Sequence, residues 1–252
     1  MIVAGAPLLI FDEIDSTNDE ARRRAERGET GPIWLMARRQ TAGKGRRGRS
    51  WTSVPGNLLL TYFGVGARPP ADIALLGFVA GLALADVVEA IAGPGRATLK
   101  WPNDLLIDGR KAAGILLECG ARPGGTWFAI GVGLNIAGAP DDTQPTAALR
   151  DLLPAESAAP APEAVARDLA DRMAHWSVVL DRDGFAPLRT AWAARGQGMN
   201  APVRVALASG EVAGIARGLS ETGELLLEIS GGEMRRIAAG DIYFAPPAPQ
   251  TA

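Results

Sequence analysis

Cysteine and histidine are nearly missing from this sequence: its 252 residues hold one of each, Cys119 and His175. A lone cysteine excludes an intramolecular disulfide and suits a reducing compartment. A lone histidine leaves His175 as the only candidate for a zinc site or a Ser-His-Asp triad. It lies in a helical pattern beside Trp176 with no acidic cluster at ligand spacing, and reads as an ordinary helix residue. The N-terminus has no charged n-region or clean cleavage site. The most apolar run, Ile73 to Ala85, reads as too short to span a bilayer and is followed by Asp86 and Glu89. No internal repeat is visible. These absences lead to the expectation of a soluble, cytoplasmic protein. One further absence is local: no Asp or Glu occurs from Thr30 to Ala71, although the chain as a whole carries a net charge of -2.

That acid-free window contains the stretch around which the chain is organised, Arg38 to Trp51, with six cations and three glycines. Glycines allow close backbone approach and positive φ, and arginines supply forked donors for phosphate or carboxylate oxygens. The stretch reads as a flexible loop that closes over an anion, with a solvated basic turn or a nucleic-acid patch as alternatives. Gly43, Gly45 and Gly48 fit G-x-G-x-x-G. However, the chain continues through a loop into the apolar run Leu58–Phe63, not into a helix, so a dinucleotide site is not expected. The P-loop pattern fails for want of a Ser or Thr after a Gly-Lys pair.

Taken in order, Leu8–Phe11 reads as a strand. A helix follows to Gly28, with Thr17 and Glu20 at capping-box spacing. Strands are expected at Pro32–Ala37 and Leu58–Phe63, and a helix from Asp72 to about Ile91. Thr98–Ile107 reads as one strand broken by a polar insert. Asp108-Gly109 is a hairpin-turn signal, with returning strands from Lys111 and Trp127. Residues 137–162 read as loop plus a short helix near Leu149, followed by helices over Val165–Leu180 and Phe185–Ala194. Four short strands lie between Val203 and Ile237, separated by glycine turns, and make a small SH3-like β unit. The hairpins argue for a largely antiparallel sheet and against a doubly wound nucleotide fold.

Lys100-Trp101-Pro102-Asn103-Asp104 breaks strand rules, and such local violations mark functional sites. Lys111 lies across the hairpin turn and is expected near Asp104, either for carboxylate or phosphate chemistry or as a simple ion pair.

Together, Ser16-Thr17-Asn18, "QTAGKGRRGRSW" from Gln40, "KWPNDLL" from Lys100, "GRKAAGILLE" from Gly109 and "GVGLNI" from Gly131 resemble the biotin–protein ligases, in order and over nearly the whole chain. The resemblance implies an α/β (α+β) fold: a mixed sheet with flanking helices, like class II aminoacyl-tRNA synthetases, over 1–198. An SH3-like domain over 199–246 and a disordered tail over 247–252 would follow. It implies ATP-dependent activation of biotin to biotinyl-5′-AMP and transfer to a lysine of a biotin carboxyl carrier domain, with Mg²⁺ on the pyrophosphate and no protein-held metal.

By the same resemblance, Ser16, Thr17, Asn18, Gln40, Gly43, Lys44, Lys111 and Gly114 serve biotin. Gly45, Arg46, Arg47, Gly48, Arg49, Trp51, Asn103 and Asn135 serve ATP and the adenylate. Lys111, Arg46 and Asp104 carry the chemistry, with Asp104 at the transfer step. Lys44 stands where the family often has Arg, which loses a bidentate fork. The chain ahead of the basic loop is short, so DNA binding is not expected, nor is a membrane; a homodimer is compatible. A lipoate–protein ligase is the near alternative, and a nucleic-acid-binding module a more distant one.

Overall fold

A computed structural model describes residues 2–142 and 144–244. The catalytic layer is built from β1 (Leu8–Ile14), α1 (Thr17–Glu26), β2 (Ile33–Gln40), β3 (Leu58–Gly66), α2 (Pro70–Ala74), α3 (Leu76–Ala92), β4 (Ala97–Lys100), β5 (Asp104–Ile107), β6 (Arg110–Arg122), β7 (Gly125–Leu134), α4 (Pro162–Asp183) and α5 (Phe185–Arg195). Its seven strands run in the order β1-β2-β3-β7-β6-β5-β4. Only β1 and β2 pair in parallel; the other neighbours are antiparallel. β8 (Pro202–Leu207), β9 (Gly210–Leu219), β10 (Leu225–Glu228), β11 (Met234–Ile237) and β12 (Asp241–Phe244) form a second, antiparallel sheet, consistent with an SH3-like fold. The disordered tail expected over 247–252 lies outside the described residues.

Period-two alternation decides where the site falls. Trp34 and Met36, Leu58, Leu60 and Tyr62, and Phe128, Ile130 and Val132 point to one face, where α3 and α4 bury them in the main core. The opposite face holds a smaller cluster of Ala21, Ala25, Leu35, Phe63 and Ala129 under α1. Further along that second face no helix among the described residues covers the sheet. The register sets Leu59 opposite Gly133 and Thr61 opposite Gly131, and then Gly133 opposite Gly114 and Gly131 opposite Leu116. The sheet is thus solid on one side and recessed on the other.

Several elements differ from the sequence reading. The helix expected from Asp72 is two helices, broken at Leu75. Pro70–Ala92 as a whole is long and apolar enough to cross a membrane, contrary to the estimate from Ile73–Ala85, but most of its apolar window is buried inside the protein. Thr98–Ile107 is a tight hairpin, not one interrupted strand: β4 and β5 pair antiparallel with Lys100 opposite Asp104. Proline and the polar residues occupy its tip, where a missing N–H costs no ladder bond. Ser16, not Thr17, caps α1, accepting from the Asp19 amide at 3.4 Å. β12 was not foreseen.

Candidate active site

The recess on the second face is a cavity of about 480 Å³, within the range of small-molecule sites. Its floor is the glycine row described above. A Cβ on Gly131 would lie 2.2 Å from Asn18 Oδ1, and one on Gly133 would lie 2.3 Å from Cε2 of Trp51. A Cβ on Gly114 would lie 2.9 Å from Cζ3 of the same ring. These glycines let Asn18 and Trp51 lie flat on the sheet.

One end of the cavity is neutral and hydrogen-bonding. The strand-to-helix turn brings Ser16, Thr17 and Asn18 into it, each buried. Gln40 Oε1 accepts from the Thr17 amide at 2.7 Å and from its hydroxyl at 3.0 Å. Asn18 donates to Glu118 Oε2 at 2.8 Å, and Arg22 donates to the other oxygen of that carboxylate at 2.6 Å. Thr61 Oγ1 lies 2.7 Å from Asn18 Oδ1 and 2.8 Å from Thr17 Oγ1; its single proton serves one of them.

The other end is charged. Lys111 Nζ lies 3.0 Å from Asp104 Oδ1, with both side chains largely buried, and 5.6 Å from the Trp51 ring centre. Trp51 Nε1 is buried without a hydrogen-bond partner. The basic loop folds over this end as a narrow hairpin. Trp51 donates its amide to Gly43 O at 2.9 Å, and Gly45 donates to Arg49 O at 2.7 Å. A Cβ on Gly43 would lie 2.5 Å from Trp51 O, so the close approach requires glycine. Arg47 and Gly48 turn the tip at φ 56 and 75. Arg46 donates to Asn103 Oδ1 at 3.1 Å, joining the loop to the β4–β5 hairpin. Burial pushes the Arg46 guanidinium below its ordinary value, and the nearby Asp241 charge opposes that.

Five of the six cations between Arg38 and Trp51 already face protein carboxylates. Arg38 pairs with Asp12 and Glu163, Arg39 with Glu13, Lys44 with Asp19, and Arg47 and Arg49 with Asp241. Only Arg46 lacks a carboxylate within ion-pair distance among the described residues. A nucleic-acid patch would leave its cations open to phosphate, so this arrangement counts against that alternative.

Of the residues singled out from sequence, Ser16, Thr17, Asn18, Gln40, Lys44, Gly45, Arg46, Arg49, Trp51, Asn103, Lys111, Gly114 and Asn135 line the cavity. Gly43, Arg47, Gly48 and Asp104 do not; they support the loop or the lysine. Sequence reasoning missed Thr61, Glu118 and Asn57. Buried Asn57 is a hub: its Oδ1 accepts from the amides of Ile136, Ala137 and Gly138 at 2.9, 3.0 and 3.3 Å, and its Nδ2 donates to Asn135 Oδ1 at 3.2 Å. Its only sequence signal was a polar residue immediately before an apolar strand.

Residues 10–136 match the Biotin/lipoate A/B protein ligase family, which sets the class. Residues 199–245 match the Biotin protein ligase C terminal domain. The biotin--[acetyl-CoA-carboxylase] ligase of Paracoccus denitrificans is 41% identical over 238 residues, 91% of this chain and 97% of the relative. That of Mycobacterium tuberculosis is 36% identical over 92% of this chain and 87% of its own length. The biotin protein ligase from Aquifex aeolicus in complex with biotin and ATP shares the fold, with a TM-score of 0.78 at 24% identity, over 94% of this chain and 97% of that one. This chain belongs to the biotin/lipoate protein ligase family and, within it, to the biotin protein ligases.

Proposed function

We propose that the protein activates biotin with ATP to biotinyl-5′-AMP and then transfers the biotinyl group to a lysine of a biotin carboxyl carrier domain, in the cytoplasm. The observation that carries this reading is the split polarity of the cavity. The buried, neutral donors and acceptors of Ser16, Thr17, Asn18 and Gln40 suit an uncharged ureido ring. Lys111 and Arg46, at the other end, suit a carboxylate brought against an α-phosphate. A dithiolane ring offers no donors or acceptors to these groups, so the geometry favours biotin over lipoate.

In the first step a biotin carboxylate oxygen attacks the α-phosphorus and pyrophosphate leaves. The carboxylate is ionised at neutral pH, so no general base is required. The step needs positive charge where negative charge gathers, which Lys111 and Arg46 supply. In the second step a carrier lysine, as the free amine, attacks the acyl carbon and AMP leaves. Asp104, paired with Lys111 at the charged end, would orient that amine or take its proton.

The residues present offer no cage for Mg²⁺: among the described residues no three His, Cys, Asp or Glu side chains cluster. In this reading the ion rides on the pyrophosphate, and no step here runs through it. A domain boundary at 198/199 is part of this reading; the bonds of Gln197 to Leu99 O and of Asn200 to Ala216 O support it. Mass spectrometry of the protein with biotin and MgATP should find biotinyl-AMP, and lipoate should not substitute. Adenylation of lipoate but not biotin would overturn the assignment.

A further inference from the structure

We propose that Asp241 is a positioning residue: it clasps the basic loop shut, so that retention of the acyl-adenylate depends on the C-terminal domain. The proposal rests on the biotin-activating reading above.

The loop tip divides its cations by direction. Arg46 reaches inward to Asn103, while Arg47 and Arg49, the latter also lining the cavity, reach across to the C-terminal sheet. Arg47 Nη1 lies 3.2 Å from one Asp241 oxygen and Arg49 Nη2 lies 3.1 Å from the other. One carboxylate thus receives two guanidinium groups, one oxygen each. The left-handed turn at Arg47 and Gly48 sets both arginines on the same side.

Asp241 is a fixed point because the strand it opens is tied to the catalytic layer. The Tyr243 and Phe244 rings lie 5.8 and 5.6 Å from Lys100 Nζ, beside the tip of the β4–β5 hairpin. At that hairpin's tip, Trp101 Nε1 donates to Gly223 O at 3.1 Å. The pieces that hold the loop and the hairpin therefore come from two parts of the C-terminal sheet, β12 and the turn between β9 and β10.

The strength of the clasp suits its task. The two arginine side chains are 41% and 54% exposed against 21% for Asp241. Pairs so exposed are individually weak and salt-sensitive. Two of them on one carboxylate bias the loop toward closure without freezing it, and the loop must open in each cycle to admit substrates.

The test uses the full chain with biotin and MgATP, following adenylate formation, adenylate release in a chase, and labelling of serum albumin lysines. Asp241→Asn should form adenylate within about twofold of the parent rate but release it about 3- to 30-fold faster, with more albumin labelling. Asp241→Glu should restore most of the retention. Arg47→Gln with Arg49→Gln should also release faster, and adding Asp241→Asn to that pair should change nothing further. If Asp241→Asn fails to fold, the unaltered protein decides: its release should accelerate between about 50 and 500 mM salt, and a flat response overturns the clasp. Equal retention in Asp241→Asn and the parent, or additive effects with the arginine pair, also overturns it. A parent protein that forms no adenylate overturns the underlying reading and the clasp with it.

Discussion

At the residue scale, the site depends on what is left out as much as on what is present. Gly131 can only be glycine while Asn18 lies where it does, because a methyl group there would stand 2.2 Å from the amide oxygen. Gly131→Ala should therefore displace Asn18 from Thr61 and Glu118 and raise KM for biotin by about tenfold or more, with a smaller effect on ATP. Isothermal titration with each ligand checks this; equal loss for both would mean that the floor has collapsed as a whole. Asp15 gives a prediction of a different kind. Hydrogen bonds from Arg23 hold its carboxyl down from 3.8 to about 2. A depressed carboxyl pKa contributes stability above its unfolded value and loses it as pH falls through the folded value. The pair is substantially exposed, so the contribution is small, below about 1 kcal/mol. Asp15→Asn should be slightly less stable than the parent at pH 7, and the gap in melting temperature should close as pH falls from about 4 to about 2. A gap that persists at pH 2 would mean that Asp15 acts by packing.

At the scale of elements, the legible parts were those with local chemistry. The approach of Lys111 to Asp104 followed from the Asp108-Gly109 turn, whose positive φ values of 48 and 73 fix the β5–β6 register. Ser16, Thr17 and Asn18 were legible because a strand-to-helix turn announces itself in the sequence. Asn57 and Thr61 were not, because their partners lie 78 and 43 residues away and nothing nearby marks either as a hub. The β4–β5 hairpin was misread as one strand because its flanks are both apolar and only its tip is polar. Asn57 carries the clearest element-scale prediction. Asn57→Ala would orphan three backbone amides and free the loop after β7. A loss of roughly 2–4 kcal/mol in stability is expected, with weaker ATP binding than biotin binding. Chemical denaturation and nucleotide titration measure both; wild-type stability would show that water or the loop itself replaces the lost bonds.

At the scale of the whole molecule, one strong core on one sheet face leaves the other face free for chemistry. The C-terminal sheet closes the arrangement from the side. The fold class was legible from the order of apolar runs and glycine turns, but the contact between the two sheets was not, since Arg49 and Asp241 lie 192 residues apart. The proposed direct attack gives Cys119 no part in the chemistry. Cys119 is on the surface, and burial pushes its thiol up, not down, which keeps it a poor nucleophile. Cys119→Ala should leave biotin-dependent pyrophosphate release within about twofold of the parent; complete loss with the fold intact would contradict the direct-attack mechanism.

In the proposed mechanism Lys111 stabilises charge in adenylation while Asp104 serves transfer, from positions 3.0 Å apart. Single-turnover pyrophosphate release, measured without a carrier domain and followed by biotin transfer on adding one, tests it most directly. Lys111→Ala should lower the first step by roughly two to three decades, the cost of removing a charge aimed at the developing anion. Asp104→Asn should release one equivalent of pyrophosphate near the parent rate and then transfer slowly. Normal adenylation by Lys111→Ala, or equal failure of Asp104→Asn in both steps, would contradict the account.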